Sequence, residues 1–332
     1  MLDVSRLALF AVVLAVLAAG QGLPSAEGRI LVATSTTTID GYDFRYKPMP
    51  WWRGGALLAL DDGRETAPEI RVFDKEGKVA FQTVFTIPEN RLIQSLHLAR
   101  SYDGTLAVEG DAYSSDSRGG TFIGLISPDG QQRRIVRTSP FAAFDIAFAA
   151  DGTLWAAGRE LVDGVEVNPN HNMIRRFDKA GNLLGSWIPK SSLAVDPKVG
   201  LRHPAVRSLL VSSRDRIGWY SVGAREYFEF SLDGAIVGRF RTLDLQDGMR
   251  VTGAGLCDDG GLYVGAFSRK NGELGGGVFT LDRQDGTWKR VAIKGAPAAK
   301  GLRVFACEGS ELVAGSPSNL GIYILDSPIA RC

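Results

Sequence analysis

The chain has 332 residues, of which 45% are hydrophobic and 23% are charged. This composition excludes an intrinsically disordered protein and allows a large buried core. Lysine and arginine number 38 against 37 aspartate and glutamate residues, and the resulting net charge of +1 gives no reason to expect nucleic acid as a partner.

The N-terminal segment predicts a secretory signal peptide over residues 1–22. Arg6 precedes an apolar run over residues 7–19, which is shorter than the about 20 residues that a membrane-spanning helix needs. Small residues follow the run, as they do at a cleavage site; an uncleaved anchor is the alternative. We therefore expect residues 23–332 to form one domain, periplasmic or extracellular, with no stable membrane insertion after cleavage.

Two kinds of hairpin alternate along the rest of the chain. One kind has two apolar strands around a tight turn, as in "IAFAADGTLWAAG" from Ile146, and the other is represented by "IRVFDKEGKVAFQTV" from Ile70. The turn glycines of the second kind recur every 51 to 53 residues, at Gly77, Gly130, Gly181, Gly234 and Gly286. A period of this length with two hairpins predicts four-stranded blades around an axis.

The number of repeats predicts an all-β fold, a six-bladed β-propeller of four-stranded antiparallel blades. The last repeat lacks an outer strand within its own sequence. Either the tail at residues 329–332 or an N-terminal strand at residues 29–34, "RILVAT", would supply that strand and complete the ring.

The repeats resemble a known family. "DGTLWAAG" followed by "NMIRRFDKAGNLLGSW" is similar to an NHL repeat, and the resemblance extends over about residues 30–326. It implies a six-bladed propeller, the architecture of gluconolactonase-type lactonases and streptogramin lyases. The early Glu-Gly-Pro-x-Trp motif that supplies a metal-binding glutamate in those lactonases has no match in this chain, so the resemblance implies a fold without an activity.

The connections between strands predict which face of the propeller carries function. The tight glycine turns should lie on one face, while the other should carry the longer and more variable links, which occupy residues 111–120, 159–172, 189–206 and 268–276. We expect ligand binding on this long-loop face, because binding residues concentrate on loops held by a rigid scaffold. The alternative is that the links are tolerated insertions.

Four candidate binding residues follow from the predicted positions of strands and links. Alignment of the repeats places Asp145 and Arg303 on opposite sides of the channel mouth, where they would order a polar ligand or form a solvated pair. Arg202 and His203, in the link before the fourth repeat, are a candidate anion contact.

Five further candidates come from two local sequences. Trp51, Trp52 and Arg53 in "KPMPWWRGG" would form a contact surface for protein or carbohydrate, or a tryptophan would belong to the core because strand neighbours face opposite sides. Asn168 and His171 in "VNPNHN" would bind sugar hydroxyls or a cation, or would serve as turn formers.

The cysteines give a prediction about pairing. Cys257 and Cys307 occupy equivalent positions in the last two repeats, and an oxidising compartment favours a disulfide between them. Equivalent positions of neighbouring blades are expected about 8–10 Å apart, however, and a disulfide needs Cα atoms about 4.4–6.8 Å apart. We therefore expect these two cysteines to be unpaired, and Cys332 to be free in either case.

The motifs that are absent limit the function classes. The sequence has no G-x-S-x-G elbow, P-loop, dinucleotide-binding fingerprint or CxxC pair, and three histidines leave few candidates for a general base. We assign no catalytic or metal-binding residue, and the enzyme question stays open, with the sequence favouring a non-enzyme. The prediction is an exported, monomeric, non-catalytic binding propeller without a cofactor, recognising a protein, peptide or glycan. The alternative is a metal-dependent, lactonase-like hydrolase or lyase acting at the channel mouth, for which Ca²⁺ would be the cofactor.

Overall fold

A computed structural model of the chain describes fifteen segments, and the fold and site below refer to these residues. They are 30–38, 51–53, 56–61, 67–74, 76–114, 119–131, 133–162, 165–168, 170–194, 208–245, 249–270, 273–295, 303–309, 311–316 and 321–326. The predicted signal peptide, Arg202, His203 and Cys332 lie outside them. Within these segments no helix is long and apolar enough to cross a membrane.

Apart from one 3-10 turn at Lys190–Ser192, the regular elements in this part of the chain are strands. They are β1 (Ile30–Thr38), β2 (Trp51–Arg53), β3 (Ala56–Asp61), β4 (Glu69–Phe73), β5 (Val79–Val84), β6 (Asn90–Arg100), β7 (Leu106–Ser114), β8 (Gly119–Ile126), β9 (Arg133–Arg137), β10 (Phe141–Phe148), β11 (Leu154–Val162), β12 (Val165–Glu166), β13 (Asn172–Phe177), β14 (Leu183–Pro189), β15 (Ser208–Ser212), β16 (Arg216–Ser221), β17 (Glu226–Ser231), β18 (Ile236–Arg241), β19 (Met249–Leu256), β20 (Leu262–Lys270), β21 (Glu273–Leu281), β22 (Trp288–Lys294), β23 (Arg303–Glu308), β24 (Glu311–Ser316) and β25 (Gly321–Asp326).

The described strands form five hydrogen-bonded sheets. Sheet 1 contains β2–β5, sheet 2 contains β6–β9, sheet 3 contains β10, β11, β13 and β14 with β12 added to β11, and sheet 4 contains β15–β18. Sheet 5 has eight strands in the order β19-β20-β21-β22-β1-β25-β24-β23.

The prediction of six separate blades is therefore wrong. Strand β1 is antiparallel to β25 and also runs parallel to β22, where Ile30 pairs with Ala292. Because one strand pairs on both of its edges, the last two four-strand meanders become a single sheet. Of the two closures expected from the sequence, the N-terminal strand pairs with the last meander, and the tail at residues 329–332 lies outside the described residues.

The sheets are arranged as a β-propeller, which confirms the all-β class. The first strands of successive meanders contact each other in order: β2 with β6, β6 with β10, β10 with β15, β15 with β19, β19 with β23, and β23 with β2. These contacts close a ring around an axis, and each meander extends outward from it. An apolar cluster fills the interface between consecutive meanders, such as the one that contains Trp155, Ile174, Trp219 and Phe230 between sheets 3 and 4.

The tight turns predicted from the repeat are present, and they define a turn face. The five repeat glycines all have positive φ: Gly77, Gly130, Gly181, Gly234 and Gly286. At Gly234 the requirement is strict, because φ is +99° and a Cβ atom would lie 2.1 Å from the ring of Trp187. The described parts of the links between hairpins and between sheets, such as residues 85–89, lie at the opposite end of the strands, on the long-loop face.

Cys257 and Cys307 form a disulfide, so the expectation that they are unpaired is wrong. Their Cα atoms are 4.9 Å apart, within the range that a disulfide needs. The close approach of β19 and β23 depends on Gly255, because a Cβ atom there would lie 2.6 Å from the carbonyl carbon of Ala306. Because glycine has no side chain, β19 and β23 come closer to each other at Gly255 than the spacing expected between neighbouring blades.

Candidate functional site

Polar side chains on β7 face sheet 3 near the axis of the ring. Ala107 packs with sheet 3, whereas Val108 packs with sheet 1, so the side chains of β7 alternate between the two neighbours. Glu109 and Asp111 follow Ala107 at steps of two and therefore share its side. This alternation places two carboxyl groups in the interface between sheets 2 and 3.

β-bulges position two further polar groups near the ring axis, one on β6 and one on β10. The register of β6 against β7 shifts between Ser95 and His97, and the register of β10 against β11 shifts between Ala143 and Asp145. A bulge inserts one unpaired residue and bends the strand. His97 directly follows the first bulge, where it pairs with Glu109, and Asp145 directly follows the second.

Asp145 connects the first strands of three sheets. It is buried, its Oδ1 accepts a hydrogen bond from the backbone N–H of Ile146 at 2.9 Å, and its Oδ2 accepts one from Leu210 on β15 at 2.7 Å. The Nδ1 atom of His97 on β6 lies 3.4 Å from Oδ1. Asp145 thus links β10 to β15 through a hydrogen bond and lies close to His97 on β6.

Arg303, the predicted counterpart of Asp145, occupies a different position in its strand. The bulge of β23 lies between Val304 and Ala306, so Ala306 is the structural equivalent of Asp145. Arg303 is the first residue of β23, three residues closer to the long-loop face.

Glu109 is the most deeply buried carboxyl group of this region. It is 2% exposed, and its Oε2 atom has no hydrogen-bond partner in the described part of the chain. Burial, together with the negative charges of Asp111 and Asp145, raises the pKa of Glu109 well above its ordinary value. Burial also raises the pKa of the half-buried Asp111. We call Glu109, Asp111 and Asp145 the acidic cluster.

A second buried glutamate in the chain has the opposite environment. Glu229 on β17 is 1% exposed, and it accepts hydrogen bonds from the guanidinium of Arg283, one of them at 2.5 Å, and from the hydroxyl of Tyr227 at 2.8 Å. Arg216 lies 3.4 Å away. The charge of Glu229 is compensated within the protein, whereas every group that acts on the pKa of Glu109 disfavours its charged form.

A cleft of about 240 Å³ opens on the long-loop face beside sheet 2. Its wall includes the β5–β6 link, the outer ends of β7 and β8, and Arg137 at the end of β9. Glu89 in that link has φ of +67°, which is uncommon for a residue other than glycine. Arg137 and Glu89 are both exposed, and neither forms an ion pair with another described residue.

The "VNPNHN" candidates are involved in fixing their own link. His171 is 2% exposed, and its Nδ1–H donates to the carbonyl oxygen of Asn168 at 2.5 Å. The exposed side chain of Asn168 accepts a hydrogen bond from the backbone N–H of Asn170 at 3.1 Å, as in a turn. Glu166 lies 3.5 Å from His171 and is bound by Lys190, so this link is attached to the end of β14.

The tryptophan candidates lie in β2, beside the ring axis. Trp52 is 3% exposed and packs with Leu57, Phe73 and Val313 in the interface between sheet 1 and the last meander. Trp51 and Arg53 flank it in the same strand. Trp52 therefore belongs to the apolar core.

Sequence reasoning did not select Glu109, Asp111 or His97. The available signal was "LAVEGDAY", in which two acidic residues alternate within an otherwise apolar strand. Acidic residues are rarely fully buried without a partner, so their presence in an inner strand was informative. Among the described residues, no group of three or more His, Cys, Asp and Glu side chains is arranged to hold a metal ion.

Comparison with known proteins gives structural similarities at low sequence identity. A protein of unknown function from Bacteroides caccae has 12% identity and a TM-score of 0.45, with 80% of this chain and 82% of that chain covered. BBS1N in complex with ARL6DN has 11% identity and a TM-score of 0.46, with 85% and 79% covered. A member of the DUF4221 family from Bacteroides vulgatus has 14% identity and a TM-score of 0.49, with 89% and 97% covered. No protein-family model and no curated protein matches the chain, and at these TM-scores none of the three structures indicates a function for it.

Proposed function

We propose that this protein is a non-catalytic binding propeller that recognises a peptide segment of a protein partner through its long-loop face. The observation that carries the proposal is the cleft beside sheet 2, which lies on the face predicted for binding. Its volume of about 240 Å³ is smaller than the roughly 300–1,000 Å³ typical of small-molecule pockets. A cleft of this size suits one side chain of a larger partner.

The groups at the rim of the cleft favour a polar partner. Arg137 offers a planar fork of N–H donors that binds carboxylates in a bidentate manner, and Glu89 offers a carboxylate of opposite charge. The unusual φ of Glu89 supports a functional role, because strained residues concentrate at binding sites. We propose that Arg137 binds an acidic side chain or a carbonyl group of the peptide.

We also propose that the protein is exported and that it is a monomer. The apolar run at residues 7–19 supports a signal peptide over residues 1–22, and the Cys257–Cys307 disulfide is of the kind that persists in oxidising compartments. N-terminal sequencing of the protein from the periplasm and culture medium tests export. Light scattering of the purified protein tests whether it is a monomer.

Selection from a random peptide library displayed on phage tests binding, with a glycan array in parallel. We expect enriched peptides whose affinity, measured by calorimetry, falls about tenfold or more in Arg137→Ala, since hydrogen bonds to charged groups contribute about 1.5–3 kcal/mol. Arg134→Ala is the matched control, because Arg134 is also an exposed arginine on the same strand but lies toward the turn face, where its guanidinium donates to the carbonyl oxygen of Ala180 at 3.0 Å. Enrichment of glycans alone, or equal affinity of both variants, would contradict the proposal.

The alternative of a metal-dependent hydrolase or lyase has a separate test. Metal analysis of the purified protein measures bound Ca²⁺ directly. A stoichiometric, tightly held ion would favour the alternative over a non-catalytic role.

A further inference from the structure

In the acidic cluster, the carboxyl group of Glu109 has a buried oxygen atom without a partner among the described residues. The Oε2 atom of Glu109 is buried without a hydrogen-bond partner in the described part of the chain, although buried polar groups are nearly always bonded. Leaving a buried polar atom without a partner destabilises the protein. A bound donor would remove this cost.

The surroundings of this carboxyl oxygen favour a bound positive charge. Asp111 and Asp145 act on Glu109 through their negative charges, and Asp145 has its own bonds to the backbone of β10 and β15. His97 lies beside Asp145, with 28% of its side chain exposed, and Asp111 is half-buried. The negative charges of Asp111 and Asp145 therefore act on Glu109, and the cluster meets solvent at the partly exposed side chains of His97 and Asp111.

The geometry favours an organic cation over a metal ion. A metal ion requires ligands that converge within about 2.0–2.6 Å of one point, and no such group of three is present among the described residues. A guanidinium is larger and planar and carries five N–H donors, so it can bond carboxylates that lie too far apart to share a metal. Another buried glutamate among the described residues, Glu229, is compensated by the guanidinium of Arg283.

We propose that Glu109, Asp111 and Asp145 form a binding site for a guanidinium group. Its source is either an arginine side chain of a partner or a free guanidino compound. In the complex, the guanidinium donates to Oε2 of Glu109 and to Asp111, while Asp145 contributes negative charge from its place on β10. The site lies on the opposite side of sheet 2 from the proposed peptide cleft, so the two proposals do not depend on each other.

Binding at this site should release a proton. Burial keeps Glu109 protonated above its ordinary titration range, and a neutral acid attracts a cation less than a carboxylate does. The affinity should therefore rise by up to about tenfold per pH unit until the pH reaches the pKa of Glu109. The ionisable groups around it are His97 on β6, Asp111 and Tyr113 on β7, and Asp145 on β10.

Calorimetry with defined probes tests the site on the complete mature protein. The probes are the peptide Gly-Arg-Gly, its neutral citrulline analogue, Gly-Lys-Gly, agmatine and CaCl₂. We expect Gly-Arg-Gly or agmatine to bind and the citrulline peptide not to bind. Tighter binding of the peptide indicates an arginine of a partner chain, and tighter binding of agmatine indicates a free guanidino compound.

Matched variants locate the binding. Glu109→Gln should weaken binding about tenfold or more and flatten its pH dependence. Asp111→Asn should weaken binding too, and it serves as a second test of the site if the buried Glu109→Gln variant folds poorly. Glu311→Gln, the same chemical change at an exposed position on β24, should leave the affinity unchanged. Any one of four results would overturn the proposal. The first two are equal binding of the arginine and citrulline peptides, and tighter binding of Ca²⁺ or of Gly-Lys-Gly than of either guanidinium probe. The other two are no binding of the two guanidinium probes, and unchanged affinity in Glu109→Gln.

Discussion

Removal of the Cys257–Cys307 disulfide should lower the free energy of unfolding by about 4 kcal/mol. The two cysteines are 50 residues apart in sequence, and the chain-entropy model gives about 4 kcal/mol at 25 °C for a loop of this length. Both sulfurs are buried in the interface between the two meanders of sheet 5. Alanine at either position should therefore cost about 1 kcal/mol more through lost packing.

A double-mutant cycle separates these two contributions. Either Cys257→Ala or Cys307→Ala alone breaks the bridge and should destabilise the protein by about 5 kcal/mol, whereas the second substitution should add about 1 kcal/mol for its own packing. The coupling energy between the two sites should then be about 4 kcal/mol in magnitude. Because a single variant leaves one thiol that can pair elsewhere, all variants are made with Cys332→Ala.

Urea unfolding without reductant measures the four free energies, and Cys332→Ala alone serves as the reference. Repeating the cycle with dithiothreitol should abolish the coupling, because the bridge is then absent from every variant. Additive energies without reductant, or a coupling that persists after reduction, would refute the assignment of stability to the bridge. Peptide mapping under non-reducing conditions checks the pairing independently.

Three further predictions concern the acidic cluster, the close approach of two strands and a buried ion pair. Above pH 4.5 the unfolded state loses the Glu109 proton while the folded state keeps it. The free energy of unfolding of the wild type should therefore fall, relative to that of Glu109→Gln, by up to about 1.4 kcal/mol per pH unit until the pH reaches the pKa of Glu109 in the folded state. Parallel curves of urea-derived stability against pH for the two proteins would contradict this. Gly255→Ala should destabilise by about 1–3 kcal/mol, since its Cβ would meet the backbone of Ala306 at 2.6 Å, and a melting temperature equal to wild type would show that the strands separate without cost. Arg283→Met should cost up to about 3–5 kcal/mol, because the buried Glu229 then keeps only the Tyr227 hydroxyl and the more distant Arg216 as partners. The added change Glu229→Met should recover much of that loss in chemical denaturation.

The sequence by itself determined the strands, the turns and the class of fold. The repeat glycines from Gly77 to Gly286 mark the turns because a positive φ is a local requirement that glycine meets at no steric cost. Short, nearly continuous apolar runs bounded by turn residues mark inner strands such as β10, because both faces of such a strand are covered by neighbouring sheets. A repeated pattern of such elements is sufficient to predict sheets arranged around an axis, and this is the part of the prediction that the structure confirms.

Tertiary structure alone decided which distant residues meet. Strand β1 joins two meanders because it follows the edges of β22 and β25, which lie more than 250 residues away along the chain. Gly255 permits the disulfide only because β23 approaches it, and the carboxyl group of Glu109 shares its environment with Asp145 only because sheets 2 and 3 are neighbours in the ring. Ring closure sets these distances, and no local pattern in the sequence encodes them.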